Sequence, residues 1–110
     1  MTQADTKRAI ADYVNHHGQY AVIINIAGIP IKGDYTRLRK NPEMSGLGDV
    51  LICWLGQMIQ VEVKRNKKES LRKAQEEHER RSTNAKGLWW TVTGIDDFII
   101  KLEFYRKSLR

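Results

Sequence analysis

Two short apolar runs, Asp49 to Trp54 and Met58 to Lys64, are separated only by Leu55-Gly56-Gln57. A gap that short commits them to an antiparallel hairpin. Alternate side chains of a strand share a face, so Glu62 and Lys64 point one way while Ile59, Val61 and Val63 point the other. A two-residue turn at Gly56-Gln57 sets Asp49 opposite Lys64, and one at Leu55-Gly56 sets it opposite Glu62. Both registers bring Asp49 onto the face of Glu62 and Lys64, because directly paired residues share a face. A three-residue or bulged turn would reverse this.

A bare Glu-x-Lys on a strand is usually polar residues turned to water. The hairpin changes that reading, because two carboxylates and an ammonium then converge. Like-charged carboxylates repel unless a cation or a proton sits between them. A hard divalent cation such as Mg²⁺ or Mn²⁺ takes oxygen ligands and keeps several waters, so two carboxylates with a backbone carbonyl suit it. Lys64 beside it is placed to orient or deprotonate a water and to stabilise charge growing on phosphorus. These are the parts that phosphodiester hydrolysis requires.

The rest of the chain supplies a setting for the hairpin. Ile10, Tyr13, Val14 and His17 recur at helical spacing and end at Gly18, predicting a helix over about 6–17. Tyr20 to Ala27 is a short β-branched run and predicts a strand. From Gly28 to Gly48 the pattern breaks up around Pro30, Gly33 and Pro42, and reads as a long loop. After a basic turn over residues 65–68, Ser70 is placed to cap a helix running to about Arg81. Its stripe of Leu71, Ala74, Gln75 and His78 turns Leu71 and Ala74 to the sheet and brings Gln75 near the site. Leu88 to Thr93 predicts a strand on which Trp89 and Trp90 take opposite faces, one in the core and the other exposed, free to stack on a base or to seal a dimer interface. Ile95, Phe98, Ile99 and Leu102 mark a last helix with Asp96 and Asp97 in its first turn. The expected class is α/β, in the order α-β-β-β-α-β-α, as a single domain over residues 1–110.

At 110 residues a chain can build one core without disulfides, and the single Cys53 has no internal partner. No apolar run approaches the roughly 20 residues of a membrane span, so a soluble cytoplasmic protein is expected. The net charge of +6 and pI near 9.6 favour a polyanionic partner, nucleic acid first. Arg37, Arg39 and Lys40 in the long loop, with Arg65, Lys67 and Lys68 beyond the hairpin, are candidate phosphate contacts. His16, His17, His78 and Cys53 lack the spacing of a zinc site.

Gly46-Leu47-Gly48-Asp49, Val61-Glu62-Val63-Lys64, Leu71-Arg72-Lys73-Ala74-Gln75 and Ile95-Asp96-Asp97 together resemble the VRR-NUC domain, a branch of the PD-(D/E)xK nuclease superfamily that includes small stand-alone phage proteins. The resemblance spans the chain. It implies a restriction-endonuclease-like core, a mixed central sheet flanked by helices. It makes Asp49 and Glu62 metal ligands with the Val63 carbonyl as a third, Lys64 the catalytic lysine, and Gln75 the glutamine of the following helix. It also implies a homodimeric endonuclease selective for branched DNA such as Holliday junctions, working in a bacterial or phage-infected cell. A non-catalytic nucleic-acid-binding module on the same fold, or a sequence-specific restriction-type nuclease, are the alternatives. The chain departs from the family in three places. The first helix lacks the family's glutamate, with Gln3 or Asp5 nearest and Asp5 the candidate acidic ligand. Gly48 replaces a frequent proline, leaving that backbone less restrained. Arg72 replaces a serine or threonine three residues before Gln75.

Overall fold

The computed structural model describes residues 1–24, 29–31, 34–39, 46–66, 68 and 70–109, with the backbone alone for 29–31 and 34–39. Helix α1 covers Gln3–His16, starting three residues earlier than its apolar stripe predicts. The cause is a capping box: Thr2 Oγ1 accepts from the Asp5 N–H and Asp5 Oδ2 accepts from the Thr2 N–H, each at 3.1 Å. α1 buries Thr6, Ile10, Ala11 and Val14, and the chain leaves it through Gly18 at φ 74°.

Strand β1 (Tyr20–Ile23) is bound to the end of α1 by Asn15, whose side-chain amide donates to the Ala21 carbonyl and whose Oδ1 accepts from the Ala21 N–H. The predicted strand continues to Ala27, and residues 25–28 lie outside those described. The segment expected to be a long loop contains a two-stranded antiparallel ribbon, β2 (Ile29–Ile31) and β3 (Asp34–Arg39). Pro30 hid it in the sequence. A ribbon of two strands is all edge, which is where a strand tolerates proline.

The hairpin consists of β4 (Val50–Trp54) and β5 (Gln57–Val63). Trp54 pairs with Gln57 around Leu55-Gly56, whose φ values of 48° and 83° are both left-handed. Such a turn matches the twist of the strands it joins. Helix α2 (Lys73–Asn84) then crosses to β6 (Leu88–Val92), which runs parallel to β5, and α3 (Ile95–Ser108) closes the fold. The central sheet has the order β1-β4-β5-β6. Apart from the inserted ribbon, the elements follow the predicted α-β-β-β-α-β-α order in an α/β fold with a mixed four-stranded sheet.

One face of this sheet is the apolar core. Val50, Ile52 and Trp54 of β4 lie with Ile59, Val61 and Val63 of β5 and Val92 of β6, packed with Ile10 and Val14 of α1 and Phe98 and Leu102 of α3. Trp90 packs on this side too, its ring 6.0 Å from Phe98 and 5.9 Å from Tyr105. Trp89 takes the other face, half-buried, with its indole N–H on Thr91 Oγ1.

The second face is polar, and α2 meets it with polar residues. Gln75 and Ser82 are the buried side chains of this helix, while Ala74 is exposed and Leu71 lies ahead of the first turn. This corrects the expected inward face of Leu71 and Ala74. The sheet beneath carries buried Gln60, Glu62 and Lys64, which an apolar helix face would leave without hydrogen-bonding partners. The expected cap from Ser70 is also replaced. The helix starts at Lys73, and the Arg72 N–H donates to Gln75 Oε1 at 2.9 Å.

Candidate functional site

The hairpin register decides between the two alternatives left by the sequence. Val50 pairs with Val61, so one further step sets Asp49 opposite Glu62. Asp49 lies just before β4 and is locked there at three points. Its carbonyl accepts from the Ile24 N–H at 2.9 Å, its Oδ2 accepts from the Val63 N–H at 2.8 Å, and its Oδ1 faces Lys7 Nζ at 3.2 Å. Gly48, in the frequent proline position, is held rather than loose: its N–H donates to Gln60 Oε1 at 3.1 Å, a bond proline could not make.

Glu62 and Lys64 share the polar face as parity requires, and both are 5% exposed. The strand position of Lys64 is fixed by its N–H on the Val92 carbonyl at 2.8 Å. Its Nζ lies 3.6 Å from Glu62 Oε1 and donates to Gln75 Oε1 at 3.2 Å. Because Gln75 Oε1 also accepts from the Arg72 N–H, the start of α2 and the lysine are tied to one oxygen. Glu62 Oε2 is buried and has no hydrogen-bond partner among the described residues. Buried polar atoms are nearly always partnered, so an orphaned carboxylate oxygen calls for a group that completes it.

The electrostatics follow from this geometry. Burial, and then the Asp49 carboxylate, push Glu62 up from an ordinary value of 4.5 to about 6, against smaller opposing effects of Lys64 and Gln75. The folded protein therefore holds a proton that the unfolded chain has already released, and the metal-free fold loses stability as pH rises from about 4.5 through 6. The shift corresponds to about 2 kcal/mol once Glu62 is fully ionised. In the presence of a chelator, Glu62→Gln should match wild type near pH 4 and exceed its stability by up to about 2 kcal/mol at pH 7.5. Urea unfolding of both proteins across that range measures it. A difference that does not change with pH would show that the fold does not oppose the charge on Glu62.

The other candidates are placed less centrally. Asp5 serves the capping box of α1, at an exposed position, and Thr2 holds its carboxyl below the usual range. Instead Gln3 reaches the site, its Nε2 donating to the Val63 carbonyl at 3.0 Å. Arg65 and Lys68 are exposed just past β5. Arg37 and Arg39 belong to β3, of which the backbone alone is described, and Lys40 and Lys67 lie outside the described residues. Sequence reasoning missed Lys7 as a partner of Asp49. A signal was present: Lys7 precedes Ile10 by three residues and Val14 by seven, so it extends the apolar stripe of α1 with a cation.

Among the described residues, no group of three or more His, Cys, Asp and Glu is placed to hold a metal. Two carboxylates, those of Asp49 and Glu62, share this face and act on one another, and oxygen donors suit a hard cation rather than zinc. No family model, curated protein or solved structure matches this chain, so the reading of the site rests on its geometry.

Proposed function

We propose that this chain is a divalent-metal-dependent nuclease hydrolysing phosphodiester bonds, with its active centre at Asp49, Glu62, Lys64 and Gln75. The observation that carries the reading is the buried, unpartnered Glu62 Oε2, on the same sheet face as Asp49 and beside a lysine fixed by Gln75. A site built only for stability has little use for it, since leaving a buried carboxylate oxygen without a hydrogen-bond partner costs free energy even beside an ammonium. Asp49, Glu62 and the Val63 carbonyl would hold Mg²⁺ or Mn²⁺, which supplies Lewis-acid polarisation of a phosphodiester oxygen when bound.

The protein's own groups do the rest. Lys64 Nζ carries a fixed positive charge at the carboxylate pair, where it stabilises the negative charge that develops on the phosphoryl oxygens during attack. Gln75 accepts from that ammonium and holds it in place from α2. Exposed Arg65 and Lys68 provide charge for the backbone on one side of the scissile bond, giving affinity without sequence preference. The resemblance to VRR-NUC nucleases adds branched DNA as the substrate class and a homodimer as the working form, since two sites related by a two-fold axis suit paired cuts in a junction.

Cleavage by the purified protein on duplex, flap, splayed and four-way DNA tests activity and substrate together. Incision should require Mg²⁺ or Mn²⁺, stop with chelator and favour the branched substrates. Glu62→Ala and Lys64→Ala should each abolish it while DNA binding in metal-free buffer persists. Junction binding in Mn²⁺ without nicking, over a range of protein concentrations, would refute the enzyme and leave a binding module. Discrete cuts in linear duplex would instead mark a restriction-type nuclease.

A further inference from the structure

α1 reaches the site with two side chains one turn apart. Gln3 donates to the Val63 carbonyl at 3.0 Å, and Lys7 Nζ stands 3.2 Å from Asp49 Oδ1. Residues four apart share a helix face, and the Thr2–Asp5 capping box sets where the helix begins and so where both side chains stand. Both contacts fall on oxygens assigned above to a divalent cation.

The two carboxylates are balanced in different ways. Glu62 is 5% exposed and has Lys64 for a neighbour, itself buried and tied to Gln75. Lys7 is 28% exposed along its side chain and sits in the first turns of a helix, on a long flexible stem. An ammonium so placed moves into water with little loss of packing, whereas Lys64 has no such route. Asp49 Oδ2 is meanwhile occupied by the Val63 N–H, so Oδ1 is the carboxylate oxygen that a mobile cation holds.

We propose that Lys7 is a tethered counter-cation: it neutralises Asp49 in the metal-free protein, gives up Oδ1 when a divalent cation enters, and so sets the metal concentration at which the site loads. This rests on the metal-dependent reading of the site. It makes Lys7 a positioning and regulating residue rather than a catalytic one.

The test is Mn²⁺ binding to the full chain without DNA, followed by the paramagnetic resonance signal of free Mn²⁺, for wild type, Lys7→Met, Lys7→Arg and Asp49→Asn. Lys7→Met should bind Mn²⁺ up to about fivefold tighter, the size of a partly exposed ion pair that no longer has to be broken. Lys7→Arg, which keeps the charge, should stay near wild type. The gain should vanish when Lys7→Met is combined with Asp49→Asn. Added Mn²⁺ should also raise the melting temperature of Lys7→Met more than that of wild type. If Lys7→Met binds no tighter while Asp49→Asn still weakens binding, the role of Lys7 is refuted and the metal site stands. If neither wild type nor Lys7→Met shows Mn²⁺ binding that depends on Asp49, both fall together.

Discussion

Asp49→Asn is expected to lower metal-dependent cleavage by about a thousandfold or more, comparable to or greater than the loss of one preorganised electrostatic group in an active site. It should leave the fold nearly as stable as before. Asparagine can still accept from the Val63 N–H through its side-chain oxygen, the bond that Asp49 Oδ2 makes at 2.8 Å, so the open end of the hairpin remains closed. What disappears is one negative charge. Lys7 loses its partner, a partly exposed pair worth at most about 1 kcal/mol. Against that, the repulsion that helps raise Glu62 is relieved, which favours the ionised fold at neutral pH. The two effects oppose one another, so the melting temperature in chelator should move little while activity collapses. Cleavage at the wild-type rate in saturating Mn²⁺ would remove Asp49 from the mechanism. A large drop in melting temperature would instead recast it as a structural residue.

The parts of the site visible in the sequence were those governed by strand parity and turn length. Glu62 and Lys64 had to share a face, and either tight turn carried Asp49 onto it; the structure adopts the Leu55-Gly56 turn. Gln75 was legible as a residue near the inward side of α2, but its role was not. Its oxygen joins Lys64 to the Arg72 N–H because the helix begins at Lys73 instead of near Ser70, and helix starts depend on which backbone N–H finds an acceptor. The same kind of shift brings Gln3 and Lys7 to the site, through a Thr2–Asp5 capping box that engages the aspartate nearest the family's first-helix acidic position. The ribbon of β2 and β3 was hidden for a different reason. Its first strand is three residues with a proline at the centre, and its second, Asp34–Arg39, carries charged residues in place of an apolar run.

The contact between the Asp49 loop and α2 can be broken at a glycine. Gly46 is buried at φ 86°, and a methyl group built there would overlap the Ala74 carbonyl group and stand 2.8 Å from the Gln75 nitrogen. These are backbone atoms at the start of α2, which cannot rotate aside as a side chain could. Gly46→Ala should therefore cost about 1 kcal/mol for the left-handed conformation and a further ~2 kcal/mol for displacing the helix. For a domain of this size that lowers the melting temperature by roughly 15 °C. Gly18→Ala is the control, since Gly18 has a similar φ of 74° but nothing within 4 Å of the added carbon. It should lose only the conformational part, about 5 °C. Equal shifts for the two variants would show that the close approach of Gly46 to α2 carries no weight. Unequal shifts in the expected order have a consequence for the site. Gly46 lies three residues before Asp49 and touches the helix at Ala74 and Gln75, so its close approach to α2 fixes where the Asp49 segment lies relative to the lysine's amide partner. Cleavage by Gly46→Ala, assayed below its lowered melting temperature, should accordingly fall well below that of Gly18→Ala.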